Sequence, residues 1–382
     1  MAGWIEQVAG VALVLFAVLD IFLTVLYAKI GSHGASRAGA GIVSLRVARA
    51  TWWVFCRLTL RLSGRRDAAW SFCGAVTVVI LVVVWSAMLA AGAGLMVHPA
   101  LGEGVRSSSS PHARDFLTAL YVGGTSLSLT SSSDFYPQTG PFRLMYLVNA
   151  LIGTASISAT ITYVLQLYNA VLQRNALGLS MHVMTRRGAD AAVLIAGLGP
   201  QGRFDTGYTV VADLGAELAS INEAHKLFPL LFFYRPYHVS DSIPQIAFVA
   251  LDTVALLRTA LDDGEYRWFQ ESAAVENLGG VASVLASTLG ATFIPREKAD
   301  TEGAREQAPH RDAWCARYRA ALRQLEQSGI RVHADPDAGA QHYVRLRQEW
   351  DPEIRRLAGY MDYDMAVIDP ATDAAQTNAR SC

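Results

Sequence analysis

The chain has 382 residues, 52% hydrophobic and 17% charged, with a formal net charge of -1. Its basic residues are not clustered as the electrostatic footprint of a nucleic-acid binder. The average also hides two halves: residues 1–180 hold long uncharged runs and residues 181–382 hold most of the acids. That division argues against a single soluble domain.

The run from Val8 to Ala28 has 21 residues and one charge, Asp20. A bilayer core takes about 20 apolar helical residues, so this is a first spanning helix. No Lys or Arg precedes Lys29, and the run exceeds a signal-peptide core, which argues against a cleaved leader. Asp20 falls near the middle of the run. Intramembrane acids are costly and have partners or functions. A hydrogen bond or pair with a neighbouring helix is favoured over sensing or ion coupling.

The segment from Lys29 to Ser71 carries eight basic residues, Lys29, Arg37, Arg46, Arg49, Arg57, Arg61, Arg65 and Arg66, against one acid, Asp67. Positive loops stay cytoplasmic, so the N-terminus is expected outside. Arg46, Arg49, Arg57 and Arg61 alternate with Trp52, Trp53, Phe55 and Leu58. That pattern predicts a basic amphipathic helix in the inner interface. A voltage sensor would need its arginines inside an apolar span.

Phe72 to Val97 is uncharged and Phe142 to Gln173 holds only Arg143; these are the second and third spans. Between them, Leu101 to Ala113 is Ser- and Gly-rich and expected to be exposed. Asp115 to Leu127 is apolar enough for a helix, and Thr130 to Gly140 shows no periodicity. A helix that re-enters a membrane and returns as extended chain is tolerated where protein or water covers its backbone.

Ala119 to Pro137 then resembles, without a gap, the pore signature of the two-transmembrane potassium channel family, A-L-Y-x-x-x-x-T-L-T-T-V-G-Y-G-D-x-Y-P. Ala119, Leu120, Tyr121, Leu127, Asp134, Tyr136 and Pro137 match, and Ser126 and Ser128 replace Thr. The resemblance covers roughly residues 72–174. It implies a homotetramer with an ion filter at Leu129, Thr130, Ser131, Ser132 and Ser133, and an acid ring at Asp134. The filter itself departs from the family. Rings of carbonyls replace an ion's water in such filters, and glycines take the positive-φ positions. Ser131 and Ser133 stand there instead, at a strain on the order of 10 kcal/mol per tetramer. Leu129 removes a hydroxyl and Ser132 an aromatic brace. A wider, weakly selective cation pore and a collapsed one both follow. Gly123 and Gly124 are expected to weaken the helix before the filter by about 1 kcal/mol each.

The third span would be about 48 Å long, so its end projects beyond the bilayer. Asn149, Gly153, Ser156, Thr160 and Tyr163 share one face; Thr154, Ser158, Thr162 and Asn169 share the opposite one. Ser156 and Thr160 are taken to line a water-filled cavity and the second stripe to pack on neighbours, although small polar residues suit helix contacts equally. Gly153 is open to two readings, a gating hinge or close packing.

In the second half, Gly197, Gly199 and Gly202 form a G-x-G-x-x-G after a strand-like run at Val193. Pro200 inside it, and the lack of a following helix start and distal acid, favour a plain loop over a dinucleotide site. Helices are expected around Val210, Val211, Leu214, Leu218 and Ile221, from Ser242 and Pro244 onward through Ile246, Val249, Ala250, Thr253, Leu257 and Leu261, and over Ala273 to Leu289, Asp312 to Gln327 and Gln341 to Ala358. A charged loop at Arg296 to Arg311 separates them, and Pro352 is expected to kink or restart the last. The aromatic stretch His225 to Asp241 is expected under the membrane or between subunits. His182, His225, His238 and His342 lack metal-ligand spacing, and no nucleophile motif is present, so no enzyme is indicated. Cys56, Cys73, Cys315 and Cys382 show no metal or redox spacing.

The sequence therefore reads as an all-α bacterial inner-membrane protein. Residues 1–71 give a first span and a basic interfacial loop, 72–174 a potassium-channel-like pore domain, 175–368 a cytoplasmic helical domain and 369–382 a disordered tail. It passes K+ or Na+ with no bound cofactor. Its expected partners are the bilayer, copies of itself and a cytoplasmic regulator. The rival is a non-conducting membrane scaffold whose helical domain binds a partner.

Overall fold

The computed structural model describes residues 2–27, 41–59, 66–108, 115–128, 134–294 and 307–374. It is built almost wholly of helices. Among the described residues the strands are β1 (Val105–Ser107) and β2 (Phe135–Pro137), antiparallel with Val105 opposite Pro137. The chain divides into two compact units. One takes in the described residues up to Asn169 together with Lys226–Tyr234; the other takes in Ala170–His225 and the chain from Arg235.

In the first unit, α1 (Ala2–Val25) packs along α4 (Cys73–Val97), and α4 packs along α5 (Phe116–Leu127). α2 (Ile42–Thr59) and the short α3 (Arg66–Ser71) lie against α4. The spans expected from hydropathy are helical, with shifted ends. α1 begins at Ala2, six residues before the expected start, because Glu6 finds a partner: its carboxylate meets His98 Nδ1 at 2.7 Å. The third span, α6 (Gly140–Met184), has 45 residues where 32 were expected, about 68 Å in all. The first compact unit ends at Asn169, inside α6.

The segment between α4 and α6 departs from expectation. Leu101 and Val105 are buried, not exposed, in a cluster with Val97, Ala119, Val122 and Phe135, covered by Phe142, Met145 and Tyr146 of α6. β1 and β2 close this cluster, and Gly104 brings the backbone against the Phe142 ring. The aromatic stretch supplies a 3-10 turn, Pro229–Phe233, whose five residues are all buried. It packs against α2 and α4, with Phe233 edge-on to Trp52 at 5.8 Å.

The second unit is helical. α9 (Ile243–Ala260) is apolar enough to cross a membrane but is 94% buried in protein, so it is a core helix. It is surrounded by α7 (Ala191–Leu198), α11 (Ala273–Phe293), α12 (Gln307–Gln327) and α13 (Pro336–Tyr360). Ser242, Asp262 and Ser272 cap α9, α10 (Asp263–Gln270) and α11 by accepting backbone N–H bonds. α8 (Asp205–Leu227) buries the expected face, Val211, Leu214, Leu218 and Ile221.

Further details differ from expectation. The run at Val193 is neither strand nor loop but the helix α7, capped by Asp190, with a 3-10 turn at Pro200–Gly202 after it. α10 was not expected. α12 already begins at Gln307, inside the expected loop. Pro352 sits within a continuous α13, and the chain beyond Asp369 stays folded to 374. There α14 (Met365–Ile368) leads into Asp369 and Thr372, both buried.

Candidate functional site

The first unit is assembled on glycines. A Cβ on Gly10 would fall 2.5 Å from the Gly92 carbonyl oxygen, so α1 and α4 touch backbone to backbone. A Cβ on Gly123 would fall 2.4 Å from Gly94 N, joining α5 to α4 in the same way. A Cβ on Gly153 would fall 1.8 Å from the Leu127 carbonyl oxygen, seating α6 on the end of α5. Where apolar solvent gives no hydrophobic drive, close approach through small residues is what holds helices together. Gly123 thus costs helix propensity but supplies the α4 contact; Gly124 meets only Ala90, at ordinary distance.

Both ends of α5 are fixed. At the start, Asp115 accepts from Thr118 N at 3.1 Å, and the Thr118 bonds hold its carboxyl below the ordinary value. At the finish, the Ser126 hydroxyl donates to the Gly123 carbonyl at 2.7 Å and accepts from Asn149 Nδ2 at 2.9 Å. Asn149 is 2% exposed and Ser126 4%. The face of α6 that carries Asn149 and Gly153 is therefore the face against α5. Below it Ser156 and Thr160 are half-buried, and Tyr163 is buried edge-on to Phe228 at 5.7 Å. Ser158, Thr162 and Asn169 of the second stripe are exposed, and Thr154 is half-buried.

Leu129, Thr130, Ser131, Ser132 and Ser133, expected to form a filter, lie outside the described residues. Asp134 follows them, exposed, immediately before β2, and its carbonyl accepts from Ser108 N at 2.8 Å. Tyr121 faces Phe135 with ring centroids 6.5 Å apart. The matched residues thus flank Leu129–Ser133 on both sides: α5 ends against α6 before that segment, and β2 is pinned to β1 after it.

Asp20 is not central in its helix. It lies in the last two turns of α1, which runs from Ala2 to Val25 and not from Val8 to Ala28. It is 2% exposed. Oδ1 accepts from Val43 N at 2.9 Å; Oδ2 accepts from the Ser44 hydroxyl at 2.8 Å and from Trp85 Nε1 at 2.9 Å. The carboxylate therefore caps the first turn of α2, where unpaired N–H groups favour an anion, and ties α1, α2 and α4 together. Gly41 makes room for it: a Cβ there would lie 2.5 Å from Asp20 Oδ1.

A constellation in the second unit escaped sequence reading. Arg347, wholly buried, contacts Asp351 at 3.3 Å and Asp369, and donates to the Tyr343 hydroxyl at 2.9 Å. Phe248, Trp314 and Trp350 surround it, with ring centroids 5.1–5.9 Å away or apart. Asp252, also wholly buried, accepts from Tyr343 at 2.5 Å and from Arg317 at 3.3 Å; Arg317 reaches Asp190 at 2.6 Å. Burial alone would raise the Asp369 carboxyl, but Arg347 and the Thr372 hydroxyl bring it below the ordinary value. Residues 190, 252, 317, 347 and 369 share no local spacing, so no motif announces the set. His182, His225, His238 and His342 do not converge on it. His225 donates through Nδ1 to the Ile221 carbonyl at 2.9 Å. Burial, with Arg174 nearby, pushes its pKa down to about 4.

No protein-family profile matches the chain, and no solved structure matches it. A curated relative, the uncharacterized membrane protein YdjJ of Bacillus subtilis (strain 168), is 22% identical over 241 residues, which are 63% of this chain and 66% of that protein. The match spans just under two thirds of the relative's length. With that likeness and helices Gly3–Val25, Ala68–Ala100 and Gly140–Met184, whose most apolar windows are only 33%, 39% and 11% buried, the chain is a mostly helical membrane protein.

Proposed function

We propose that this protein is a subunit of a pore-loop cation channel. The observation that carries the reading is the α4–α5–α6 arrangement. A capped 12-residue apolar helix stands between two long apolar ones, and its C-terminal end is held against α6 by Gly153 and Asn149. The extended β2 follows within ten residues. That is the order a re-entrant pore loop requires, and it coincides with the signature Ala119 to Pro137. α6 leaves Leu144, Leu147, Leu151, Ile157, Ile161 and Leu165 between 53% and 63% exposed, which supports burial against lipid and further subunits. One loop supplies a quarter of a pore, hence a homotetramer. The N-terminus lies outside and the helical unit in the cytoplasm, by the basic residues between Lys29 and Arg66. Leu129–Ser133 in place of the family's glycine-bearing filter makes the pore weakly selective between K+ and Na+, with Asp134 favouring cations at its mouth.

Purified protein in liposomes under a potassium gradient tests this. Cation flux is expected, with a reversal potential near zero under opposed sodium and potassium. An intact tetramer that passes no ion would overturn the channel reading in favour of a membrane scaffold.

A further inference from the structure

α2 turns one face inward and leaves the other uncovered. Ser44, Ala48, Thr51, Trp52 and Thr59 are buried, with Trp52 4.5 Å from the Trp70 ring. Arg46, Arg49, Trp53 and Arg57 are exposed, at spacings of three, four and four, and so form one stripe about 16 Å long. Trp53 within it is 57% exposed, and Val54 and Leu58 beside it are 43% and 53% exposed. α2 contains no Asp or Glu. Among the described residues the ion pairs use other arginines, and Arg57 lies instead over the Trp53 ring at 4.7 Å. The first turn of this helix is bonded to Asp20 of α1, which holds α2 at the edge of a spanning helix.

We infer that the outward face of α2 binds anionic phospholipid headgroups. Charge complementarity selects them. Guanidinium groups recognise phosphate through paired hydrogen bonds, and no carboxylate on α2 competes for them. Trp53, Val54 and Leu58 alongside match the headgroup–acyl boundary, whereas an acidic soluble protein would leave them wet. The inference does not depend on ion conduction, and its test does not measure flux.

The test is lipid binding to the full-length protein in neutral detergent, followed by native mass spectrometry with short-chain phosphatidylglycerol and, separately, phosphatidylcholine. Phosphatidylglycerol is expected to bind more tightly. At roughly 1 kcal/mol per arginine near an anionic surface, Arg46→Gln/Arg49→Gln/Arg57→Gln should weaken it about 100-fold and leave phosphatidylcholine unchanged. The triple Lys variant should stay within about tenfold of the native chain, since charge is kept and only the paired geometry is lost. If the triple Gln variant does not fold, Arg49→Gln alone should weaken binding about fivefold. Equal binding of the two lipids overturns the inference. So does unchanged affinity in the Gln variants, displacement of the lipid by an equal concentration of inorganic phosphate, or tighter binding of an acidic peptide.

Discussion

Gly153 and Leu127 stand so close that a single methyl group at position 153 would fall 1.8 Å from the Leu127 carbonyl oxygen. This contact fixes where α5 ends, immediately before the positions expected to form a filter. It also explains a glycine in the middle of a 45-residue helix where propensity alone favours alanine. Close approach, rather than flexibility, is what the backbone geometry there requires.

Gly153→Ala should therefore destabilise the protein by about 1–3 kcal/mol, the range for overpacking. Gly124→Ala should be neutral or mildly stabilising, because its Cβ would meet only Ala90, at 3.6 Å. Thermal unfolding of both variants in detergent checks the difference. Equal effects would show that helix propensity, not the Leu127 contact, governs position 153.

Asp20→Ala removes the acceptor for Val43 N, Ser44 and Trp85 at once. Each buried polar group left unpaired costs about 1–3 kcal/mol, so loss of several kcal/mol and detachment of α2 are expected. Asp20→Asn keeps one acceptor oxygen and should cost less. Limited proteolysis between residues 28 and 66, compared across the three chains, reports whether α2 has come free.

Arg347→Met should cost about 3–5 kcal/mol, because it leaves the buried Asp369 carboxylate without its arginine and Asp351 with Arg355 alone. Removing the chain after 368 should act through the same network, since Asp369 and Thr372 both bond Arg347. Chemical denaturation of the full chain measures the first. A C-terminal truncation as stable as the native chain would show that the last residues contribute nothing.

His225 sets a pH dependence. Its folded pKa is about 4 against an ordinary 6.5, so the unfolded chain binds a proton first as pH falls. Stability is then full above pH 6.5 and declines between about 6.5 and 4, by at most about 3 kcal/mol. The buried ring already uses Nδ1, and among the described residues Nε2 has no partner to receive a proton's hydrogen bond. His225→Gln should flatten the slope in that window. Unfolding midpoints at pH 7 and pH 5 for the two chains give the comparison.

On the proposed channel reading, Ser131→Gly with Ser133→Gly should move the reversal potential toward potassium, because glycine tolerates the backbone that the family filter requires. Bi-ionic measurements in the same liposomes decide it. An unmoved potential in a conducting double variant would assign the altered selectivity to Leu129 or Ser132.

Hydropathy and spacing by themselves determined the helical class, the three long apolar segments, the break between an apolar and a polar half, and the helix that ends at Leu127. Those properties are local. An apolar run, a capping Asp115 or a period of 3.6 residues reads the same in any context. Tertiary structure alone decided where Glu6 and Asp20 belong, because an acid in an apolar helix is tolerated only beside a partner, and His98 and Trp85 are distant in sequence. It also decided the roles of Gly10, Gly92, Gly94, Gly123 and Gly153, since a glycine's use depends on the backbone that approaches it. The Gly92 and Gly94 pair in α4 was the one available signal, with its two faces open to two different helices. The Arg347 network and the burial of Asp369 were invisible for the same reason: their charges are spread over more than a hundred residues, and only folding brings them within bonding distance.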